Sequence, residues 1–345
     1  MNMHVLVVGG AGYVGGHTCK ALAKAGFTPV VLDNLSTGHR DFVRWGPFIE
    51  ADMRQERVVA DAIRQWDCAA VLHFAACAYV GESILDPAKY YDNNVAGTLA
   101  LLQGMRFAGC GKLIFSSTCA SFGAPSEMPI RESTRPDPIN PYGASKHMVE
   151  RVLAGYGPAY GLKAVVLRYF NACGADEDGE IGELRDPETH LIPRAMMALL
   201  GHVQEFAVLG ADYPTPDGTA IRDYIHVADL ADAHVAGVSR LVAGQAGATF
   251  NLGTGCGFSV LEALRAIEDV TGETLPAVDG ARRPGDPPIL IADPSFARSE
   301  LGFAAPRSDL RTIMRTAWAW HCRAHPRRIP TALQAPKAQR NGQKL

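Results

Sequence analysis

The sequence lacks the patterns that would direct a chain to a membrane, to a secretory route or to nucleic acid. No apolar run approaches the roughly 20 residues that a membrane-spanning helix needs. The formal net charge of −3 gives no basic field for nucleic acid or for an anionic lipid surface. The first apolar run begins within a few residues of Met1, so we expect no signal peptide.

Its cysteines also lack the spacings that mark metal sites or disulfide frameworks. There are eight, with no C-x-x-C and no paired histidine spacing. This distribution favours reduced, mostly buried thiols and excludes a zinc site, so we expect no metal and a cytoplasmic protein. The cysteines are Cys19, Cys68, Cys77, Cys110, Cys119, Cys173, Cys256 and Cys322.

What the sequence does contain is an ordinary globular composition with a regular alternation of patterns. Apolar residues make up 47% and charged residues 20% of 345 residues, which suggests one large or two modest lobes. Apolar runs predict strands at His4–Val8, Pro29–Leu32, Ala70–Phe74, Lys112–Phe115 and Ala164–Leu167. Helical patterns lie around Gly15–Ala25, Glu56–Trp66, Ala88–Phe107 and Tyr142–Tyr160. Buried strands separated by helices pair in parallel, so we predict an α/β fold with a doubly wound, Rossmann-type sheet.

After about residue 171 the pattern changes, and a second lobe is predicted. Loop-rich stretches appear, and helical patterns return at Leu191–Leu200, Val227–Val242, Val260–Thr271 and Leu310–His325. We predict a nucleotide-binding domain over residues 1–170, with a return segment at about 226–254. A smaller C-terminal substrate-binding lobe then covers residues 171–225 and 255–326, followed by a flexible tail over 327–345.

A glycine-rich turn follows the first predicted strand. The run Gly9–Gly15 fits both G-x-G-x-x-G and G-x-x-G-x-x-G, between a strand and a helix. Glycines let the backbone approach a pyrophosphate while the helix N-terminus faces the phosphates. The second strand ends at Asp33, whose carboxylate can accept a ribose 2′-OH and repels a 2′-phosphate, so NAD is favoured over NADP.

Tyr142 is the only one of ten tyrosines with a lysine four positions on, at Lys146. On a helix the two side chains share one face, although this spacing is also common on solvated helices. A phenol titrates near pH ~10, so it needs help to act as a base. A fixed ammonium favours the phenolate, and lowering the pKa by about 3 units takes roughly 4 kcal/mol.

Further motifs in the right order complete a pattern. They are Asp33-Asn34-Leu35, Phe74-Ala75-Ala76, Tyr90-Tyr91-Asp92-Asn93-Asn94, Ser116-Ser117-Thr118, Pro141–Lys146, Leu167–Asn171 and Arg222–Val227. From about Met3 to Pro326 the chain resembles the UDP-glucose 4-epimerases of the extended short-chain dehydrogenase/reductase family.

The resemblance implies an isomerase that interconverts UDP-galactose and UDP-glucose with bound NAD. Tyr142 would remove the proton of the sugar 4-hydroxyl, and Lys146 would lower the pKa of the tyrosine. Thr118 would hydrogen-bond the sugar hydroxyl and the developing ketone. The 4-keto sugar would turn over in the pocket before the hydride returns.

The resemblance also implies two sets of contacts. The cofactor contacts would be Gly9, Gly12, Tyr13, Val14, Gly15, Asp33, Asn34, Asp52, Met53, Phe74, Asn93, Lys146 and Tyr169. For Asn93, a buried amide that satisfies local backbone is an equal alternative. The substrate contacts would be Thr118, Tyr142, Asn171, His190, Leu191, Arg222, Tyr224, Arg283, Asp286 and Leu290, with the two arginines gripping the diphosphate.

Three positions depart from the family pattern. Ala78 stands where many members have a lysine that contacts the cofactor phosphates, and Phe122 replaces a common tyrosine. Leu290 aligns with the back of the sugar pocket, where a bulky aromatic goes with restriction to glucose and galactose. We expect galactose/glucose activity with some acceptance of the N-acetylated pair. Other stretches resemble the UDP-arabinose/UDP-xylose 4-epimerases, and a pocket for a hexose cannot strongly exclude a pentose.

Two other functions occur on the same fold. A 4,6-dehydratase needs an acid and a base directly after the threonine, where this chain has Cys119 and Ala120. A non-enzymatic NAD-sensing protein usually loses the tyrosine or the lysine. The resemblance further implies a homodimer formed by the helices at Ala88–Phe107 and Pro141–Tyr160.

Overall fold

The computed structural model describes residues 3–283 and 285–328, and its first half alternates strands and helices as predicted. The elements are β1 (Met3–Val8), α1 (Tyr13–Lys24), β2 (Phe27–Asp33), β3 (Phe48–Glu50), α2 (Glu56–Gln65), β4 (Val71–His73), α3 (Val80–Leu85), α4 (Pro87–Tyr90), α5 (Gly97–Ala108), β5 (Lys112–Thr118), α6 (Pro141–Tyr160) and β6 (Lys163–Tyr169).

The second half contains shorter strands around longer helices. They are β7 (Asn171–Cys173), α7 (Leu191–Leu199), β8 (Phe206–Leu209), β9 (Ile221–Arg222), β10 (Tyr224–His226), α8 (Val227–Val242), β11 (Thr249–Leu252), β12 (Phe258–Ser259), α9 (Val260–Thr271), β13 (Ala277–Gly280), β14 (Ile289–Leu290), α10 (Ser295–Leu301) and α11 (Leu310–Ala324). Residues 329–345 of the predicted tail lie outside the described part of the chain.

The main sheet is parallel throughout, which confirms the predicted doubly wound fold. Its seven strands run in the order β11-β6-β5-β4-β1-β2-β3. The chain builds outward from β1 in one direction and then, from β4, in the other. The gap between the carboxyl ends of β1 and β4 is therefore the switch point at which doubly wound sheets bind ligands.

Alternating side chains of the strands form a core on each face of the sheet. Val5 and Val7 pack with Leu22 of α1 and Leu230 of α8 on one face. Leu6 and its alternates pack against α2, α5 and α6 on the other face. This is the period-2 alternation of a strand that is buried on both sides.

The prediction of one continuous helix over Ala88–Phe107 is wrong. The chain instead forms α4, one wide π-helical turn over Tyr91–Ala96, and then α5. Within that turn the buried Asn94 side chain bonds both the N–H and the C=O of Cys77. A widened turn of this kind often marks a functional region.

The remaining helices pack into a separate core in the C-terminal half. Met196 of α7, Ile267 of α9 and Ile313 of α11 are all fully buried there. By contrast, α8 and β11 return to the main sheet, where β11 pairs with β6. Among the described residues, no helix is both long and apolar enough to cross a membrane.

Candidate active site

The turn after β1 is tight because two of its glycines stand where a side chain has no room. Gly9 has a φ of +83°, and a Cβ there would lie 2.5 Å from the backbone nitrogen of Ala75. A Cβ on Gly15 would lie 2.2 Å from the carbonyl oxygen of Gly9. The N-terminus of α1 is thereby held against the turn with its N–H groups facing the switch point.

Acidic side chains follow the ends of β2 and β3. The Asp33 carboxylate accepts from the backbone N–H of Ala11 (3.0 Å) and of Leu35 (2.8 Å). Burial raises the pKa of Asp33, and these two N–H donors act in the opposite direction. Asp52 accepts from the Asn34 amide at 3.0 Å, and hydrogen bonding from Arg54 lowers the pKa of Asp52 to about 2.

A cavity of about 430 Å³ opens at the switch point, and every cofactor contact implied by the sequence resemblance lines it. The lining residues from that set are Gly9, Gly12, Tyr13, Val14, Gly15, Asp33, Asn34, Asp52, Met53, Phe74, Asn93, Lys146 and Tyr169. Glycines that leave no room for a Cβ, a helix N-terminus and a carboxylate at the end of β2 fit a dinucleotide such as NAD.

Tyr142 reaches this cavity because the start of α6 is fixed on both sides. The Asn140 side chain caps the helix by accepting from the N–H of Gly143 at 2.8 Å, and Pro141 occupies the first helical position. A Cβ on Gly143 would lie 2.3 Å from the carbonyl oxygen of Ala120. The first turn of α6 therefore sits directly against the segment that follows Thr118.

Lys146 lies one helical turn beyond Tyr142 and is 4% exposed. Its ammonium donates to the carbonyl of Ser116 at 2.9 Å and stands 4.9 Å from the centre of the Phe115 ring. Burial lowers the pKa of Lys146 to about 8. The amine is thus mostly charged at neutral pH and is held at the edge of the cavity.

The electrostatics of Tyr142 differ from the expectation that Lys146 lowers its pKa. In the protein alone, burial raises the pKa of Tyr142 well above that of a free phenol, and Tyr169 adds to the rise. The Thr118 hydroxyl and the charge of Arg185 act in the lowering direction, but they do not outweigh burial. The phenol therefore needs a further positive charge in the cavity before it can work as a base at neutral pH.

A buried ion pair supports the floor of the site. Glu150 of α6 accepts from Arg168 of β6 at 2.9 Å and from the Ser117 hydroxyl of β5 at 2.5 Å. Neither charged side chain is more than 9% exposed. Because these contacts join three elements, they fix α6 relative to the strand ends that carry Thr118 and Tyr169.

Several of the predicted substrate residues meet in the second half of the chain. Arg222 of β9 pairs with Asp286, and Leu290 of β14 lies beside Arg222 in the ladder. Arg283 donates to the Thr189 carbonyl at 3.2 Å and, with Asp286, lines a second cavity of about 440 Å³. The structure thus brings both predicted arginines to one region.

Four other predicted substrate residues have more mixed surroundings. Asn171 is half-buried beside Tyr224 in the β7–β10 pair, and the Tyr224 side chain packs in the C-terminal core at 3% exposure. Leu191 also packs against that core. His190 hydrogen-bonds Glu188 at 3.0 Å, and its ring lies 6.1 Å from that of Tyr79, next to the switch-point cavity.

Leu290 closes an apolar cluster beyond Thr118. It is 7% exposed and packs with Cys119, Phe122 and Phe170. The predicted back of the sugar pocket is therefore an apolar wall with an aliphatic side chain at this position.

Two residues of the site were not found from the sequence. Asn94, rather than Asn93, is the buried amide that satisfies backbone, and it also donates to the Ser145 hydroxyl of α6 at 3.0 Å. The adjacent Asn-Asn gave no sign of which side chain points inward. Arg185 lines the switch-point cavity from a loop with no regular pattern.

Comparisons with known proteins agree with this geometry. The UDP-glucose 4-epimerase of Rhizobium leguminosarum bv. trifolii is 52% identical over 93% of this chain and 98% of its own length. A crystal structure of UDP-glucose 4-epimerase from Brucella ovis in complex with NAD is 55% identical, with a TM-score of 0.90 over 92% of this chain and 98% of that one.

A third relative is a UDP-glucose-4-epimerase from Stenotrophomonas maltophila, crystallised with NAD and formylated UDP-arabinopyranose. It is 40% identical, with a TM-score of 0.90 over 94% of this chain and 98% of that chain. The model of the NAD dependent epimerase/dehydratase family matches residues 5–253. The chain therefore belongs to the NAD dependent epimerase/dehydratase family.

Proposed function

We propose that this chain is an isomerase that interconverts UDP-galactose and UDP-glucose at C4 of the sugar, with NAD as a resident cofactor. The observation that carries the proposal is the shared cavity: Tyr142 and Lys146 face the space that the glycine turn and Asp33 enclose. Relatives of 44–52% identity with this activity support it.

Held by the glycine turn and Asp33, NAD would supply a reversible hydride acceptor for C4, with no net redox change once the hydride is back on the sugar. Tyr142 takes the proton of the 4-hydroxyl as the hydride leaves and gives it back at the end. Lys146, fixed by the Ser116 carbonyl, holds a positive charge at the cavity edge, and the cationic ring of the bound cofactor would add the further charge that the phenolate needs. Thr118 donates to the oxygen that becomes the ketone.

The residues after Thr118 favour epimerisation over dehydration, although the family includes both reactions. Elimination of water across C5 and C6 needs an acid and a base beside the sugar. Cys119 is 8% exposed, and burial raises the pKa of its thiol, so the thiol stays protonated at neutral pH and offers no base for this reaction. Ala120 has no titratable group.

The C-terminal lobe holds the UDP moiety. Arg222 and Arg283 grip the diphosphate, because a guanidinium presents paired donors to phosphate oxygens. Asp286, beside Arg222, accepts from the uridine ribose, and His190, which follows the Thr189 contact of Arg283, reaches the phosphates. In this arrangement the sugar enters the space between Thr118 and Leu290.

The sugar preference is set at Leu290. An aliphatic side chain there leaves more depth than an aromatic ring would, so the pocket accepts some UDP-N-acetylhexosamine besides the hexose pair. A pentose, which lacks the C6 hydroxymethyl, also fits. UDP-N-acetylglucosamine and UDP-arabinose/UDP-xylose epimerisation are therefore secondary activities of the same site.

The protein works as a homodimer in the cytoplasm. Large apolar side chains stand exposed on α5 (Leu99 at 41%, Phe107 at 49%) and on α6 (Met148 at 45%, Tyr160 at 54%). Pairing of these helices with a second copy would cover them. All eight cysteines are free thiols, which favours a reducing compartment.

The test is a substrate panel with purified protein and no added NAD. UDP-galactose, UDP-N-acetylgalactosamine, UDP-xylose and UDP-galacturonate are each incubated, and the products are separated by chromatography. We expect UDP-galactose to give UDP-glucose at the highest kcat/KM. Tyr142→Phe should lower kcat by roughly 100-fold or more, since proton transfer contributes about that much. Normal turnover by that variant would refute the assignment of the base.

A further inference from the structure

Arg185 is a cavity residue to which none of the roles above assigns a function. It follows the loop that begins after β7, and its side chain is 24% exposed. Both Arg185 and Leu184 line the switch-point cavity together with Gly9, Gly12 and Tyr142. Arg185 thus shares one cavity with residues of the glycine turn and with the catalytic tyrosine.

The backbone around Arg185 is tied to the glycine turn. The Leu184 carbonyl hydrogen-bonds the His39 ring at 2.9 Å, and the backbone N–H of His39 donates to Ala11 at 2.9 Å. The backbone carbonyl of Glu183 accepts a hydrogen bond from the indole N–H of Trp320 at 2.9 Å. These hydrogen bonds fix the backbone of the loop beside the glycine turn. The backbone at Arg185 therefore cannot move away from the turn without breaking them.

The guanidinium itself is oriented by two neighbours. Its Nε donates to Glu183 at 2.9 Å, and its central carbon lies 5.6 Å from the centre of the Tyr79 ring. Glu183 is the one carboxylate within ion-pair distance of Arg185 among the described residues. Glu183 takes the Nε donor and the Tyr79 side chain takes a further hydrogen bond, so the five-donor guanidinium keeps terminal N–H groups for a ligand of the cavity.

The field of Arg185 reaches both ends of the cavity. Burial raises the pKa of Tyr13, at the start of α1, and the charge of Arg185 opposes that rise. The same opposition acts on Tyr142 and Tyr169, whose pKa values burial also raises. The charge of Arg185 therefore acts on residues of the glycine turn and on Tyr142, all of which line the one cavity that would hold the dinucleotide.

The other basic residues of the cavity are already engaged. Arg54 pairs with Asp52 and Asp92, and Lys89 pairs with Glu82, all of them in the cavity wall. Lys146 bonds a backbone carbonyl beneath the tyrosine. A pyrophosphate carries two negative charges. Arg54 and Lys89 are neutralised by carboxylates and Lys146 lies beneath the tyrosine, whereas the one carboxylate paired with Arg185 is bound through Nε.

We propose that Arg185 binds the pyrophosphate of NAD and holds the cofactor. It would replace the lysine that many family members have at the position occupied here by Ala78. Ala78 lines the same cavity as Arg185, so the two positions face one ligand. The guanidinium donates to phosphate oxygens through its terminal nitrogens, while Glu183 and the Tyr79 ring keep its plane fixed. This deepens the proposed function, and rests on it only in taking NAD as the dinucleotide.

The experiment measures release of NAD from purified holoenzyme after dilution, with the residual cofactor quantified per subunit. Loss of one charge-assisted phosphate contact should make release about 10- to 100-fold faster in Arg185→Gln. Arg185→Lys keeps a charge opposite Glu183 and should release NAD at an intermediate rate. Adding Ala78→Lys to Arg185→Gln should slow release again. Arg315→Gln, an exposed arginine paired with Glu177 outside the cavity, is the matched control and should match the parent.

Substrate phosphate is the other source of the same chemistry, so the dissociation constant for UDP is measured on each variant by calorimetry. The proposal expects it to stay within about 2-fold of the parent. Arg185→Gln with parental NAD release overturns the proposal, and weakened UDP binding alone would assign Arg185 to the substrate. Absence of activity in the parent protein would instead refute the proposed function.

Discussion

Two adjacent glycines of α1 offer a direct test of how the cofactor turn is built. Gly15 and Gly16 are both buried in the first turns of the same helix, and both become alanine by the same change. A Cβ on Gly15 would lie 2.2 Å from the Gly9 carbonyl oxygen, whereas the nearest atom to a Cβ on Gly16 lies at 3.7 Å. The pair thus separates the effect of close packing from the effect of helix propensity.

The expected magnitudes follow from these distances. Alanine gains up to about 1 kcal/mol over glycine inside a helix, and both variants share that gain. In Gly15→Ala the helix and the turn must separate by roughly 1 Å, and such overpacking costs about 1–3 kcal/mol. The same displacement moves the helix N–H groups away from the pyrophosphate, and losing one such bond weakens binding about 10- to 100-fold.

The assays are urea unfolding and NAD content of the purified protein. We expect Gly16→Ala to be at least as stable as the parent and to retain NAD. Gly15→Ala should be about 1–3 kcal/mol less stable than Gly16→Ala and should lose most of its NAD. Equal NAD content in the two variants would refute the reasoning that the 2.2 Å approach positions the helix for the phosphates.

Three further predictions concern stability and specificity. Glu150→Gln should lower the free energy of unfolding in urea by about 3 kcal/mol, because it leaves Arg168 buried without its charged partner. Glu150→Leu combined with Arg168→Met should lower it by less, because no charge is then left buried. Leu290→Tyr should lower the kcat/KM for UDP-N-acetylgalactosamine relative to UDP-galactose by roughly 10-fold or more, and an unchanged ratio would refute its role. The unfolding free energy should fall between pH 7.0 and pH 5.5. Four buried histidines have a pKa of about 3 or 4 in the folded protein, whereas the same imidazoles take up a proton at a higher pH in the unfolded chain. Lowering the pH therefore favours the unfolded state. Each histidine contributes up to about 1.4 kcal/mol per pH unit, and equal stability at the two pH values would contradict this. The histidines are His17, His73, His226 and His234.

Long elements with a strong pattern were predictable from the sequence. The helices at Val227–Val242 and Val260–Thr271 have the predicted bounds, and every predicted strand overlaps an observed one. Most of the predicted cofactor residues follow strand ends, and parallel strands bring those ends to one edge of the sheet, so their meeting at one cavity was predictable. That rule needs only the order of the elements.

Features that depend on tertiary contacts could not be predicted. Strands of two to four residues, such as β3 and β14, are too short for a period to appear. The π-helical turn depends on where Asn94 meets Cys77, which lies in a different segment. Arg185 enters the site through a loop fastened by His39 and Trp320, and nothing in its local sequence indicates that position.

The electrostatic state of Tyr142 was also beyond the sequence. The Tyr-x-x-x-Lys spacing correctly places Lys146 on the same helix face. It does not reveal that the ammonium is committed to the Ser116 carbonyl, or that burial raises the pKa of the phenol. The positive charge that Tyr142 would need to act as a base must therefore come in part from the bound cofactor and not from the chain alone.

The return of β11 to the edge of the main sheet has a consequence for how this chain can be divided. A fragment that ended at residue 170 would contain six of the seven strands but would leave the outer edge of β6 unpaired. Val165, Val166 and Leu167 would then line an open, apolar edge of the kind that recruits other chains. We therefore expect such a fragment to aggregate. A stable N-terminal fragment would need to extend through β11, because the strand that covers this edge of the sheet lies about 80 residues after β6 in the chain.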